Sequence, residues 1–511
     1  MSNNGQLKAG AIISYIQMGL SVLVGLLFTP VMIRLLGQSE YGLYNTVTST
    51  ISMLSILRLG FNNSYIRYYA KYKKNNDTNR VFKLNGIFLA LFTAIGLISF
   101  VCGVFLTFNL KIVFSSGLMA EEYRIARVLM TLLTINLAVS FPMSVFSNII
   151  SANEKFIFLK GLDAVKTVMG PMVSMPLLLM GFGSIGMVAV TLVISLSVDG
   201  CYIYYVLVKL KNKFIISLPE KGILKDVTAY TFFIALELIV DQINWNIDKV
   251  LLARFKGTTM VAVYSVGFSL YTYYQSFSTS ISGVFTPRIH GLINTVKDSA
   301  EQRVALTSLF IKVGRIQFII LSLLCSGILF FGKFFVTRIW ASEQYEEAYY
   351  VALLLVFPAT IALVQNLGIE IQRAEYKHQF RSIVYSIMAL INLCLSIVLC
   401  KKYGAIGSAI GTAISLILAN GIIMNIYYHK KCNINIISFW KSLGRLATGL
   451  IIPYVFGTFL YIFLAPKTII HFLCEIIFYV IIYVASMWFI GMNDFEKNLV
   501  QQVVNKVRLR K

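Results

Sequence analysis

The sequence predicts an all-α integral membrane protein of about fourteen transmembrane helices: two parallel six-helix repeats forming an N-lobe and a C-lobe, with two extra helices at the C-terminus. Three observations lead there. Apolar residues make up 57% of the chain and mean hydropathy is +0.75, well above the roughly 45–50% apolar share of a soluble protein. Fourteen stretches supply the ~20 largely apolar residues that one bilayer crossing needs. Four short sequence islands recur in the same order at offsets of 220 to 222 positions.

The predicted spans cover 9–33, 42–61, 83–109, 126–150, 157–181, 184–208, 228–252, 260–284, 305–332, 348–368, 382–400, 404–428, 443–464 and 468–491. They divide the chain into an N-lobe over 1–210, a cytoplasmic linker over 211–226, a C-lobe over 227–430, and a final pair of spans with a basic tail over 431–511. The first apolar run is too long for a cleaved signal and lacks an A-x-A site. Span 1 carries Ser14, Gln17 and Ser21 along one side, and Pro30 near its outer end. Spans 2 and 8 are hydroxyl-rich, with Asn45, Thr48, Ser49 and Ser52 in the first and Ser265, Ser269, Thr272 and Gln275 in the second. Such helices either pack closely through cross-helix hydrogen bonds or wall a wet cavity; the residues leave both readings open. Tyrosines and lysines interleave over 62–80, a composition suited to the membrane interface. Gly407, Ser408, Ala409 and Gly411 give span 12 a small-residue face. Prolines inside spans (Pro142, Pro171, Pro176, Pro358, Pro453) are bend sites.

The duplication rests on specific residues. Arg34, Gly37, Tyr44 and Ser49 recur as Arg254, Gly257, Tyr264 and Ser269. Ala152 to Lys155, with Phe158, recurs as Ala374 to Lys377, with Phe380; Gly183 and Gly186 recur as Gly404 and Gly407. An even number of spans per copy makes the copies parallel, related by an axis along the membrane normal.

The net charge of +23 sets orientation. With the N-terminus inside, inner segments hold 30 Lys and Arg, outer segments 11, and four (Arg58, Lys249, Lys312, Arg315) fall within spans. This is the positive-inside bias, placing both termini on the cytoplasmic side of the membrane. The basic loops suit anionic lipid headgroups rather than nucleic acid. Seven scattered cysteines lack paired spacing, and His290, His378, His429 and His471 lie far apart, so neither a disulfide framework nor a metal site is expected. Gly327 to Lys333 matches a phosphate-loop pattern, but Phe334 replaces the magnesium-binding Ser or Thr and the stretch ends an apolar span. No loop is long enough for a catalytic domain, so an enzyme, whether membrane glycosyltransferase or polymerase, is disfavoured.

The candidate functional groups are ionisable residues at membrane depth, where charge is costly enough to imply a role. On span 7, Glu237, Asp241, Asn244 and Asp248 recur at helical spacing and share one face. Glu237, Asp241 and Asp248 are the candidates to exchange a coupling ion, H+ or Na+. Lys312 and Arg315 on span 9, Arg58 and Lys249 are the candidate lining of a cationic cavity for an anionic headgroup. For Lys312 and Arg315 the alternative is an ion pair with the span 7 acids; for Arg58 it is snorkelling to the interface.

Across almost its whole length the chain resembles the Wzx-type oligosaccharide flippases of the multidrug/oligosaccharidyl-lipid/polysaccharide (MOP) exporter superfamily. The resemblance lies in Pro30 to Gly37 followed by Tyr41 to Tyr44, Ser151 to Lys155, Asn246 to Tyr264, and the run over 404–415. It implies two six-helix lobes around a cavity with basic residues, no cofactor, and outward transfer of an undecaprenyl-diphosphate-linked oligosaccharide for O-antigen or capsule. Pathway glycosyltransferases and a polymerase are the implied partners. The competing expectations are a cation-coupled drug antiporter of the same superfamily and a lipid II flippase.

Overall fold

A computed structural model describes residues 3–115, 118–217, 221–295, 298–375, 377–464 and 466–508. The helices are α1 (Asn3–Met53), α2 (Phe61–Lys74), α3 (Thr78–Phe108), α4 (Ala120–Ala152), α5 (Phe156–Leu179), α6 (Gly183–Tyr204), α7 (Lys221–Lys256), α8 (Thr258–Thr295) and α9 (Ser299–Phe334). They continue with α10 (Glu346–Leu363), α11 (Leu367–Ala374), α12 (His378–Leu416), α13 (Met424–Lys431), α14 (Ile436–Ala447), α15 (Ile451–Phe463), α16 (Ile469–Ser486) and α17 (Asp494–Arg508). No strand occurs among the described residues, and the protein is a multi-pass membrane protein. The chain divides into two compact units: Met1–Ser265 with Ala389–Ser408, and Val266–Met388 with Ala409–Lys511.

Ten stretches qualify as membrane spans by length and composition. The expected fourteen differ from them for two reasons. First, α1 and α12 run on through kinks, at Gly37 (φ 73°, ψ 172°) and at Gly404 (φ 59°, ψ −133°), so each unites two expected spans. Second, α7 and α8 are continuous helices of 36 and 38 residues. At 1.5 Å per residue they are long enough to cross; the polar side chains of α8 keep composition alone from marking it, and the first part of α7 lies outside the residues whose side chains are described.

The repeated glycines have a backbone reason. Gly37 and Gly257 both hold positive φ, 73° and 87°; Gly183 and Gly404 do so at 57° and 59°. Each stands where one long helix gives way to the next, in a left-handed conformation that strains residues with a Cβ. Two of the matched islands are therefore matched helix corners.

In the first unit α3 packs on α4, and α5 packs on both α1 and α6. The tyrosine-rich stretch over 62–80 is not an interfacial loop: α2 turns Tyr65, Tyr69 and Tyr72 into a core with Phe88, Phe92 and Phe141. Spacing of i, i+4, i+7 puts those rings on one face, while the intervening Arg67, Lys71 and Lys73 stay exposed. The Tyr65 hydroxyl donates to Asn85 Oδ1 at 2.6 Å. In the second unit α9 is the central element, contacting α10, α14, α15 and α16. Phe310 meets Phe439 edge-on at 4.7 Å, and Phe330 and Phe331 both pack on Tyr479.

Outward faces are apolar. On α3, Leu97, Val101, Phe105 and Phe108 are 57–75% exposed at helical spacing, and α16 repeats this with Ile470, Leu473, Ile477, Ile481 and Val484. Stripes of this size are unusual on a water-facing monomer and suit hydrocarbon.

Gly42 on α1 lies so close to α8 that a Cβ there would run into the Thr258 carbonyl. Gly42→Val should therefore destabilise by ~1–3 kcal/mol or more, read as loss of the monodisperse peak in size-exclusion chromatography. A Cβ at Gly161 on α5 meets nothing within 4 Å, so Gly161→Ala should leave that peak unchanged or sharper.

Candidate substrate and ion sites

The span 7 stripe passes from exposed to buried along α7. Asp241 is exposed, Asn244 is half-buried, and Asp248 is 1% exposed; the Glu237 side chain lies outside the described residues. The Asp248 carboxylate accepts from the Tyr264 hydroxyl at 2.7 Å and from the Ser408 hydroxyl at 2.9 Å. A buried carboxylate needs such donors to offset its desolvation. In the repeat register, Asp248, Tyr264 and Ser408 correspond to Phe28, Tyr44 and Met187 of the first copy. Those three line a cavity of about 290 Å³ with Lys166, Ser174 and Thr191. One position of the fold is thus a closed polar knot in the second copy and an open, mostly apolar hollow in the first. Lys249, half-buried, follows Asp248 directly.

Arg58 ends the short helical turn after α1. Its Nη2 donates to Ser140 Oγ at 3.0 Å, and its guanidinium lies 5.4 Å from the Phe141 ring centre. Half-buried, it turns toward α4 of the first unit. Asp199 on α6 lies within electrostatic range of both Arg58 and Lys166. On α5, Asp163 pairs with Lys160 at 3.3 Å and accepts from the Tyr202 hydroxyl at 3.2 Å. This mixed-charge strip on α5 and α6 was not among the residues singled out from sequence. The signal was present: Asp163 and Asp199 are acids within apolar spans, the criterion that selected the α7 acids.

Arg315, 4% exposed, is fully engaged. Nε and Nη2 donate to the two Glu496 oxygens at 2.6 and 2.9 Å. Nη1 donates to Ser442 O and Oγ, at 2.8 and 3.2 Å, and Nη2 also to Gly491 O at 3.2 Å. All five guanidinium donors are accounted for. The alternative expected for Arg315 was an ion pair with span 7 acids; an ion pair exists, but its acid is Glu496, on the C-terminal helix α17. Glu496 also accepts from the Asn493 N–H at 2.8 Å, capping that helix. Lys312, one turn earlier and exposed, holds its ammonium 5.0 Å over the Phe495 ring. Arg58 and Lys249 belong to the first unit, Lys312 and Arg315 to the second.

Among the described residues no three His, Cys, Asp or Glu side chains form a metal-binding group. The buried thiols Cys325, Cys400 and Cys432 are unpaired by disulfides.

The sequence profile described as "Polysaccharide biosynthesis protein" matches residues 7–293, more than half of the chain. The chain belongs to this polysaccharide biosynthesis family. No curated protein sequence matches it. Among solved structures, it is similar to the lipid II flippase MurJ in an inward closed conformation: TM-score 0.72 at 15% identity, covering 96% of this chain and 99% of that one. It is also similar to an inward-facing multidrug resistance MATE family transporter of the MOP superfamily, with TM-score 0.61, 14% identity, and 84% and 99% coverage. A third likeness is to the MATE multidrug transporter DinF-BH, with TM-score 0.58, 16% identity, and 84% and 96% coverage. The fold of this polysaccharide biosynthesis protein is therefore that of the MOP transporters.

Removing either partner of the Arg315–Glu496 pair strands a buried charge. Arg315→Ala or Glu496→Ala should cost about 3–5 kcal/mol, seen as a lower Tm in detergent. The double substitution Arg315→Met with Glu496→Leu should recover most of that loss.

Proposed function

We propose that the protein is a flippase carrying undecaprenyl-diphosphate-linked oligosaccharide repeat units from the inner to the outer leaflet of a bacterial plasma membrane. The observation that carries this reading is the polysaccharide biosynthesis match over 7–293 in a chain with a MOP transporter fold. Upstream glycosyltransferases would supply the cargo and a polymerase would consume it. Two six-helix repeats would rock about the cargo headgroup while the isoprenoid tail stays in the bilayer, with both termini cytoplasmic as the charge bias indicates. The lipid II reading stands second, favoured by the near-complete overlap with MurJ.

In this reading Arg58, Lys166, Lys249 and Lys312 supply positive potential to the diphosphate. Arg315 acts indirectly, by holding α17 against α9. Asp248, with Tyr264 and Ser408 on its oxygens, is the best-supported coupling residue; protonation or sodium binding would loosen that knot. Asp241 is an exposed station on the same helix face, and Glu237 completes the proposed set.

Proteoliposomes loaded with a labelled diphosphate-linked oligosaccharide in one leaflet should deliver it to the other only when the protein is present. Arg58→Ala should slow delivery tenfold or more, since a charged contact contributes at least the ~1.4 kcal/mol that a tenfold change requires. Asp248→Asn should remove stimulation by an H+ or Na+ gradient. Failure to carry the lipid, alongside transport of an organic cation, would replace this reading with drug antiport.

A further inference from the structure

The second unit contains a cavity of about 430 Å³ whose wall includes Lys312, one of the cations assigned above to the diphosphate. Arg303, Thr307, Ser308 and Lys312 on α9 line it, together with Asn435 before α14 and Asn493 before α17. Its volume falls within the usual range of small-ligand pockets. Arg303 and Lys312 stand nine residues apart, at opposite edges of the α9 face that fronts it. Both are exposed, and no ion pair engages either among the described residues. The one acid on the wall, Glu496, is neutralised by Arg315. The pocket therefore holds two uncompensated positive charges over a floor that is electrically balanced.

A larger cavity in the same unit makes the contrast. It is about 820 Å³ in volume and lined by Lys333, Arg338 and Lys467. There Lys333 pairs with Glu346 and Arg338 with Glu343, both at 2.8 Å, which consumes most of the charge. The smaller cavity is the stronger anion site. The first turns of α14 and α17 also open on it, but Asn435 and Asn493 cap them from within, so the cations supply the attraction.

The surroundings indicate what kind of anion fits. Val304 on the cavity wall is 71% exposed, and Ile437, next to Asn435 in the following turn, is 70% exposed. An apolar rim beside paired cations and hydrogen-bonding hydroxyl and amide groups matches an amphiphile with a phosphorylated head. We propose that this pocket docks a phosphate-bearing lipid headgroup at the inner leaflet, with Arg303 and Lys312 holding the phosphate and Val304 lying along the chain. The inference rests on the inner-face orientation in the reading above, under which inner-leaflet lipid meets the pocket directly.

The test uses the full-length protein in detergent, titrated with phosphatidylglycerol, undecaprenyl diphosphate or inorganic pyrophosphate, with bound ligand counted by native mass spectrometry. The Arg303→Ala, Lys312→Ala double variant should lose one lipid equivalent, its affinity falling about tenfold or more. Arg303→Gln with Lys312→Gln, which keeps most of the side-chain bulk, should do the same at an unchanged Tm. Lys467→Ala should bind as wild type. Preference for undecaprenyl diphosphate would make the site a cargo dock, and equal binding of both lipids a general headgroup site; each outcome upholds the proposal. Unchanged lipid binding in both double variants overturns it, as does pyrophosphate binding that matches the lipids. Headgroup binding by a wild-type protein that moves no lipid-linked oligosaccharide would reject the flippase reading and leave the pocket standing.

Discussion

A charge inside an apolar helix bundle must find a partner or forfeit several kcal/mol, and this constraint organises the protein's interior. Arg315 and Glu496 satisfy it in the second unit, where a bidentate pair joins α9 to the terminal helix. Asp248 in the first unit accepts from two hydroxyls, with the adjoining Lys249 ammonium within electrostatic range. The two solutions differ in what they permit. A guanidinium with every donor engaged is fixed in place, whereas hydroxyl partners can turn to donate or accept as the charge of a carboxylate changes. That difference supports a structural clamp at Arg315 and fits the coupling role proposed for Asp248.

Much of the fold was legible in the sequence because the bilayer imposes length and polarity rules on every crossing. The helix boundaries that blurred did so at glycine corners: Gly37 and Gly404 kink the chain without interrupting helical hydrogen bonding for long. The same glycines made the duplication readable, since a left-handed corner preserves residue identity where lipid-facing positions accept any apolar side chain. Composition alone does not separate the α2 tyrosines from the basic residues between them. Their spacing, read as a helix face, already separated Tyr65, Tyr69 and Tyr72 from the lysines.

The site was less legible than the fold. The α7 stripe drew attention to Asp248, but the residues that complete its environment, Tyr264 and Ser408, are 16 and 160 positions away. For Arg315 the sequence indicated that a partner was needed but not which one, because Glu496 lies 181 positions on, beyond the last span. Asp163 and Asp199 each stand as the single acid of their span, without the periodic repetition that marks α7.

In the proposed cycle, net negative charge moves outward with the lipid. A cargo with about two charges, leaving an inside-negative cell, gains roughly 2.3 kcal/mol per charge at ~100 mV. The most direct measurement is the rate of lipid-linked oligosaccharide transfer in proteoliposomes under an imposed potassium diffusion potential, with ion gradients otherwise abolished. Outward transfer should be faster when the lumen is negative and slower when the sign is reversed. A rate indifferent to the potential, or one rising with the opposite sign, would contradict the flippase reading.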